Sequence, residues 1–329
     1  MALGRKAYWL GGLAVLAAGL YLNNASWTAH PSGKLTILAH RGPHQTFSHV
    51  GLDNRSCTAS RIDPPRHAFL ENTISSMRAA FALGADVVEI DVHPTTDGDF
   101  AVFHDWTVDC RTDGHGVTRD HSMAELKRLD IGFGYTADGG RTFPFRGKGV
   151  GLMPSLDEVL RAFPGRRFLL NIKSNDPREG DLLAAWLKAR PWANAGRLSF
   201  YGGDRPVARL AALRPDLKAM SRASAKACAK RYLLLGWSGW VPAACRHTIV
   251  FLPVNYRWAA WGYPNRLLSR MEGAGSELYL IAPVDRGAAS HLEGFDTSQS
   301  LDQLPADWRG GLTTDRIEAV GPILKGRRP

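Results

Sequence analysis

The 329-residue sequence predicts an α/β protein built as a parallel (β/α)8 TIM barrel, with a hydrophobic helix in front of it. Two observations carry this prediction. From residue 34 onward, short apolar runs typical of strands alternate with helical patterns, and no Pro/Ser-rich linker divides the chain. Eight such runs, separated mostly by helices, fit one barrel better than two domains. We therefore assign a targeting segment to residues 1–27 and one barrel domain to residues 34–325.

The N-terminal segment has the pattern of a membrane-targeting sequence. Arg5 and Lys6 precede an uncharged apolar run over residues 7–22. Sixteen residues is shorter than a usual membrane span of about twenty and longer than a usual signal-peptide core of about seven to fifteen. The run is apolar on all faces, which favours targeting over a buried helix of the barrel. An uncleaved signal-anchor is preferred to a cleaved signal peptide. Either one exports the chain after about Trp27, leaving the barrel anchored on the periplasmic, extracytoplasmic side or secreted.

The elements of the barrel follow from hydrophobic periodicity and capping residues. Ser155, with Glu158 three positions later, predicts a capping box at one helix start, and Asn72 or Thr73 predicts the cap of another. The predicted helices cover residues 73–83, 122–129, 156–163, 181–189 and 259–272. The predicted strands cover residues 35–39, 87–92, 100–103, 168–172, 197–201, 217–221, 248–254 and 278–282. The second and third strands are joined too tightly for a crossover helix, so a regular barrel is interrupted there.

Charge and cysteine content narrow the possible partners and compartment. Lys and Arg number 41 against 31 Asp and Glu, a formal charge of +10 that suggests an anionic partner. The chain has no helix-turn-helix, finger or aromatic-basic sheet motif, so we expect no nucleic-acid partner. The four cysteines contain no Cys-x-x-Cys pair and fit an exported protein with disulfides. Three pairings of the four are possible, and four free thiols are the alternative.

Charged side chains gather where the first two strands end. His40, Arg41 and Gly42 follow the first strand, and Glu89 and Asp91 end the second. Active sites of barrels lie at the carboxyl ends of the strands. The period of two places both carboxylates on one face, where they repel unless a cation lies between them. A hard divalent ion is the natural partner of such a pair, and solvated strand-end acids are the alternative.

The third strand ends in His104 and Asp105, and the carboxylate can orient the imidazole ring. A metal ion and Arg41 can bind the non-bridging oxygens of a phosphate ester. One imidazole can accept a proton from the nucleophile while the other protonates the departing alkoxide. These residue types therefore predict phosphodiester hydrolysis.

The order of the motifs resembles the glycerophosphodiester phosphodiesterase family over nearly everything from Leu35 to about Leu324. The resemblance rests on His40-Arg41-Gly42, Glu71-Asn72-Thr73, Gly84-Ala85-Asp86-x-x-Glu89-x-Asp91-Val92, Val102-Phe103-His104-Asp105, Arg111-Thr112-Asp113-Gly114-x-Gly116, Glu125-Leu126, Pro154-Ser155-Leu156-x-Glu158-Val159-Leu160 and Thr314-Asp315-Arg316. It implies a TIM-barrel hydrolase that uses one divalent ion, Ca²⁺ or Mg²⁺. Its expected reaction cleaves glycerophosphodiesters to sn-glycerol 3-phosphate and an alcohol.

Carried over by position, the resemblance assigns roles to ten residues. His40 and His104 become the catalytic acid/base pair, and Arg41 and Lys173 the phosphate ligands. Glu89, Asp91 and Asn171 become the metal ligands. Glu71, Asn72 and Asp105 are expected to support the active site. Family members usually carry Glu-x-Lys on the fourth strand, whereas this chain has Asn171 and Lys173. Asn171 offers a carbonyl oxygen without a charge, so weaker binding or a different ion is expected.

A long insert between Gly42 and Glu71 is absent from compact members of the family. It is expected to lie over the pocket mouth beside the loop 105–116, which favours the pairs Cys57–Cys110 and Cys228–Cys245. A cluster of aromatics is either core or a rim that contacts lipid or glycan: Trp237, Trp240, Tyr256, Trp258, Trp261 and Tyr263. Two alternative functions stay open. One is a membrane-associated lysophospholipase-D-type enzyme acting on lysolipids, with the N-terminal helix contacting the membrane. The other is a catalytically weak barrel that binds a ligand, suggested by Asn171.

Overall fold

The computed structural model describes residues 2–48, 50–52, 56–193, 195–284 and 294–326. The helices within these residues are α1 (Ala2–Asn24), α2 (Ile74–Ala82), α3 (Met123–Leu126), α4 (Leu156–Ala162), α5 (Arg178–Lys188), α6 (Asp204–Leu213), α7 (Arg222–Leu235), α8 (Asn265–Gly273), α9 (Ser298–Leu301) and α10 (Ile317–Lys325). The strands are β1 (Thr36–His40), β2 (Val87–Pro94), β3 (Phe100–Val102), β4 (Arg167–Ile172), β5 (Leu198–Gly202), β6 (Lys218–Ser221), β7 (Ile249–Pro253), β8 (Glu277–Ile281) and β9 (Gly311–Thr314).

Eight parallel strands form a nearly closed barrel in the order β6-β5-β4-β2-β1-β9-β8-β7. The register brings His40 of β1 opposite Glu89 of β2, and Asp91 of β2 opposite Asn171 of β4. Because parallel strands end at the same side of a barrel, this pairing gathers their last side chains at one mouth. The TIM-barrel prediction is confirmed, and the register already brings three strands of the expected site together.

Two strand predictions need correction. The run 100–103 was expected to be a barrel strand, but β3 pairs antiparallel with β2 and lies off the barrel. Its place is taken by β9, which pairs with β1 and β8 and was not predicted. The run Gly311–Thr314 has four residues, one Gly and two Thr, so its apolar signal is weak although every residue is buried.

The capping predictions hold at both helix starts. Thr73 accepts a hydrogen bond from the backbone N–H of Ser76 at the start of α2. Ser155 and Glu158 form a full capping box at the start of α4. Each cap satisfies backbone groups that a helix end leaves unpaired. Helix α2 begins directly after Glu71 and Asn72, two residues of the predicted site.

A second apolar core lies beside the barrel. It is formed by the long insert after β1 and the segment from β3 to α4, through residues such as Ala59, Ile62, Phe103, Tyr135 and Met153. Phe47 and Ile62 form an isolated antiparallel bridge inside the insert. The insert therefore folds against the loops that follow β3, next to His104 and Asp105.

Both disulfides expected from the sequence are present. Cys57 pairs with Cys110, joining the insert to the loop after β3, and Cys228 pairs with Cys245, joining α7 to the segment before β7. The described residues hold no free cysteine. The pairing prediction is confirmed.

Helix α1 covers the predicted apolar run. Among the residues that the structure describes, no helix is long and apolar enough to cross a membrane. The expectation of a transmembrane anchor is therefore not supported, and signal cleavage stays a prediction.

Candidate active site

A tight turn after β1 presents His40 and Arg41. Arg41 and Gly42 both have positive φ angles of 59° and 71°. A Cβ on Gly42 would lie 2.3 Å from Ser76 Oγ and 3.0 Å from the Ser76 backbone, so only glycine fits there. The left-handed Arg41 is a sparsely populated conformation for a residue with a side chain. The turn is held in place because the Arg41 N–H donates to the Glu89 carbonyl at 3.1 Å.

Glu89 and Asp91 are buried on the same face of β2, as the alternation predicted. The Tyr201 hydroxyl donates to Glu89 Oε1 at 2.7 Å, and the His40 ring nitrogen Nε2 lies 3.7 Å from Glu89 Oε2. Glu89 Oε2 itself is buried without a hydrogen-bond partner among the described residues. Burial, together with the neighbouring Asp91 carboxylate, raises the pKa of Glu89 to about 6.

Two amide donors and two cations surround the carboxylate of Asp91. Asn72 Nδ2 donates to Oδ2 at 2.9 Å and Asn171 Nδ2 donates to Oδ1 at 3.0 Å. The Lys173 ammonium lies 3.3 Å from Oδ1, and Arg41 Nε lies 3.2 Å from Oδ2. Burial alone would raise the pKa of Asp91, but Lys173 and Arg41 outweigh it and hold that pKa well below its usual range. Asp91 is therefore an ionised anchor that positions both expected phosphate ligands.

The two histidines have the same local construction. His40 Nδ1 is hydrogen-bonded to Asp315, which follows β9, and His104 Nδ1 is hydrogen-bonded to Asp105 Oδ1 at 2.6 Å. A carboxylate on Nδ1 fixes the proton there and leaves Nε2 for chemistry. The side chains of His40 and His104 are each 28% exposed, while Glu89 and Asp91 are almost fully buried. The imidazoles are thus the solvent-accessible acid/base groups of this mouth.

Their surroundings move the two pKa values in opposite directions. Burial and Arg41 oppose a charge on His40, but Glu89 and Asp315 outweigh them and raise its pKa. Burial, Arg41 and Lys173 lower the pKa of His104 to about 4, against the opposing effect of Asp91 and Asp105. At neutral pH His104 is uncharged, whereas His40 retains a proton more readily than a free imidazole. Pairs of titratable groups displaced in this way mark acid and base roles.

A chain of ion pairs runs from Arg41, the residue after His40, to Asp105, the hydrogen-bond partner of His104. Glu71 contacts Arg41 at 3.3 Å and Arg111 at 3.1 Å, and Arg111 Nε donates to Asp105 Oδ2 at 2.8 Å. Burial would raise the pKa of Glu71, but Arg111 and Arg41 outweigh it and lower that pKa to about 2. Asn72, with a positive φ of 59°, donates its backbone N–H to the Arg41 carbonyl. Glu71, Asn72 and Asp105 thus touch the residues that they were expected to support.

The residues expected to hold a metal ion lie together, and their chemistry suits a hard divalent cation. Two carboxylates and one amide face each other across β2 and β4, and Glu89 Oε2 is an unpaired buried oxygen. The Asn171 amide directs its NH₂ group to Asp91. The expected set holds only two carboxylates, Glu89 and Asp91. Within the described ranges, no group of three or more His, Cys, Asp or Glu side chains could hold a metal ion.

Three residues at the site had no role in the sequence-based assignment. Asp315 follows the unpredicted strand β9, so recognising that strand would have put it at the barrel mouth. Tyr201 ends the predicted fifth strand, a position that signals proximity to the site. Arg111 comes from an irregular loop, and its contact with Glu71 had no local signal beyond its place in the family motif.

The fold and the site together define a TIM-barrel protein whose polar residues gather at the carboxyl ends of its strands. Residues 40–186 match the model of the glycerophosphoryl diester phosphodiesterase family. A glycerophosphodiester phosphodiesterase of Caldanaerobacter subterraneus subsp. tengcongensis is 40% identical over 103 residues, which are 31% of this chain and 39% of that protein. The match therefore spans about two fifths of the relative's length.

Solved structures agree on the fold. A glycerophosphodiester phosphodiesterase from Agrobacterium tumefaciens superposes with a TM-score of 0.58 at 20% identity, over 89% of this chain and 100% of that one. A phosphodiesterase from Oleispira antarctica, solved in complex with its product sn-glycerol-3-phosphate, gives a TM-score of 0.51 at 19% identity, over 91% and 99% of the two chains. Over residues 40–186 the chain is therefore similar to the glycerophosphoryl diester phosphodiesterase family.

Proposed function

We propose that this protein hydrolyses glycerophosphodiesters to glycerol 3-phosphate and an alcohol. One observation carries the proposal: two imidazoles, each oriented by a carboxylate on Nδ1, lie at a barrel mouth that also holds Arg41 and Lys173. The product bound to the Oleispira relative supports the same substrate class. A phosphodiester needs a base, an acid and cations for its non-bridging oxygens, and this mouth offers all three.

In the proposed mechanism, His104 is the general base and His40 the general acid. Asp105 holds the proton of His104 on Nδ1, so Nε2 carries the lone pair that accepts a proton from the nucleophile. His40, protonated beside Glu89 and Asp315, donates its Nε2 proton to the departing alkoxide. Arg41 and Lys173 bind the non-bridging oxygens, and their anchoring by Asp91 keeps them oriented before substrate arrives.

A divalent ion, Ca²⁺ or Mg²⁺, belongs to the proposal as well. Glu89, Asp91 and Asn171 would hold it, with the free Glu89 Oε2 as the first available ligand. When bound, such an ion offsets negative charge that develops on the phosphoryl oxygens. Thermal melting with added Ca²⁺ or Mg²⁺ tests this without an activity readout. A rise in Tm that Glu89→Gln abolishes and Asn171→Glu enlarges supports the site, and no change with either ion contradicts it.

Export to an oxidising compartment is the proposed localisation. Its support is the pair of disulfides, which persist outside the cytosol, and the basic, apolar N-terminal sequence. N-terminal sequencing and thiol alkylation of protein from its native compartment are the tests. Protected cysteines agree with export, and four alkylated cysteines contradict it.

The function is tested by following release of choline from glycerophosphocholine, whose other product is glycerol 3-phosphate, and from lysophosphatidylcholine, whose other product is lysophosphatidic acid. We expect turnover of glycerophosphocholine, and a loss of about 10²- to 10⁴-fold in His104→Ala. Preference for lysophosphatidylcholine would favour the lysolipid alternative. Binding of either compound without turnover would mean that the barrel is a binding protein.

A further inference from the structure

An exposed apolar surface lies away from the residues of the proposed mechanism. Six side chains form it, and we call them the aromatic face: Trp27, Leu233, Leu234, Leu235, Trp237 and Trp261. Leu234 is 69% exposed, Trp27 66% and Trp237 46%. Single exposed apolar residues are ordinary, but a contiguous group of this kind marks an interaction site.

Hydrogen bonds show that these residues form one surface. Trp261 Nε1 donates to the Leu233 carbonyl at 2.9 Å, which joins the segment before α8 to the end of α7. Asn24 Nδ2 donates to the Trp237 carbonyl at 2.8 Å. Ser26 Oγ accepts from the Asn265 backbone N–H at 2.9 Å, so Trp27 lies beside the start of α8.

Helix α1 extends from this surface. Arg270 Nη2 donates to the Asn23 carbonyl at 2.8 Å, and Nη1 donates to Asn24 Oδ1 at 3.1 Å and to the Gly236 carbonyl at 3.0 Å. Arg270 thereby fixes the end of α1 against the end of α7. The large apolar side chains of α1 from Tyr8 to Leu22 are exposed, and, apart from the helix's own backbone, nothing lies within 4 Å of a Cβ placed on Gly11, Gly12 or Gly19.

The sequence segment that contains most of the aromatic face has only positively charged side chains. The 50 residues from Arg222 to Met271 contain eight Lys or Arg and no Asp or Glu. Lys230 and Arg231 are exposed on α7 shortly before the three leucines. This segment contributes five of the six residues of the aromatic face, so the sequence around them has only positive charges.

We propose that the aromatic face, together with α1, docks on the surface of an anionic lipid bilayer. Tryptophan and leucine insert at the boundary between headgroups and acyl chains, and Trp is enriched there because it is amphipathic. Basic residues that flank such a patch add attraction to anionic headgroups. Two copies of a face flanked by the exposed Lys230 and Arg231 would repel each other, which argues against self-association. The surface holds the barrel against the membrane through contacts beyond the N-terminal helix.

The test is flotation of the full chain with vesicles of phosphatidylcholine alone or with phosphatidylglycerol added. We expect binding to the anionic vesicles, weakened by high salt. Leu234→Ser/Trp237→Ser is expected to lower the partition coefficient by about tenfold or more, since it removes two inserted side chains. Lys230→Glu/Arg231→Glu is expected to remove the preference for anionic lipid.

Matched controls change exposed residues of the same types elsewhere. Leu213→Ser/Trp192→Ser replaces a half-exposed leucine and tryptophan, and Lys188→Glu/Arg205→Glu reverses two exposed cations. Both controls are expected to bind as the wild type does, and circular dichroism checks that every variant is folded. The proposal is overturned if the wild type ignores anionic vesicles, or if face and control variants bind equally. It is also overturned if the face variants only dissociate a dimer in sedimentation.

Discussion

The two sides of the barrel mouth hold histidines of the same construction with opposite pKa displacements. On one side, Glu89 and Asp315 raise the pKa of His40, whereas on the other side burial, Arg41 and Lys173 lower the pKa of His104 to about 4. Each ring has a carboxylate on Nδ1, so that carboxylate alone does not decide the charge. Arg41 opposes a charge on both rings, so the difference comes from Glu89 beside His40 and Lys173 beside His104. In the proposed mechanism, similar hydrogen bonds would therefore serve opposite proton-transfer roles.

The largest expected effect comes from removing the carboxylates one at a time. Asp105→Asn is expected to lower kcat by about 10³-fold at all pH values, because it favours the wrong tautomer of the base. Asp315→Asn leaves His40 less readily protonated, so its loss is expected to grow as the pH rises. Steady-state kinetics from pH 5 to 9 measure both. Equal losses with the same pH dependence would contradict the assignment of separate roles.

The ion-pair chain between the two sides is expected to matter for stability. Glu71→Gln leaves Arg41 and Arg111 without a shared carboxylate, at a cost of about 3 kcal/mol in the free energy of unfolding. The folded-state pKa of Glu71 is about 2, below its usual value. Its contribution is therefore present above about pH 4.5 and is lost as the pH falls towards 2.

Urea unfolding of wild type and Glu71→Gln between pH 7 and 3.5 checks this. The difference between them should shrink at the acid end, where Glu71 of the unfolded chain becomes protonated while the native carboxylate is still ionised. A difference that grows with acidification would mean that Glu71 is not held ionised by the two arginines.

The two disulfides lie at different distances in the chain from the predicted base. Cys57–Cys110 joins the insert to the loop that bears Asp105 and Arg111, whereas Cys228–Cys245 joins α7 to the segment before β7. Replacing either pair by serine is expected to cost about 3 kcal/mol of stability. Only the Cys57→Ser/Cys110→Ser variant is expected also to lower kcat, since its loop positions the base. Thermal melts and kcat of the two variants give the comparison, and equal kcat values would contradict the positioning role.

The smallest effect is a shift in the pH–rate profile. Activity is expected to fall about tenfold per pH unit below pH 4, where His104 becomes protonated, and to fall again as the pH rises through the raised pKa of His40. Lys173→Met removes one cation near His104 and should move the acid limb upward. An acid limb unchanged in that variant would show that Lys173 does not set the charge of His104.

The sequence predicted the barrel because alternating strand and helix patterns survive without any knowledge of contacts. It also predicted the face shared by Glu89 and Asp91, since that depends only on the period of a strand. Asp315 was left without a role because Gly311–Thr314 has too weak an apolar signal to be recognised as a strand. Arg111 was missed for a different reason: a loop side chain acquires its partners only from tertiary structure. The transmembrane expectation rested on composition, and the structure does not support it.

The central claim, that His40 is the acid and His104 the base, is tested most directly by changing the leaving group. A glycerophosphodiester of p-nitrophenol leaves without protonation, whereas glycerophosphocholine requires it. We predict that His40→Ala retains much more of its activity on the nitrophenyl ester than on glycerophosphocholine, while His104→Ala loses both to the same extent. Selective rescue of His104→Ala by the nitrophenyl ester, with none for His40→Ala, would contradict the assignment.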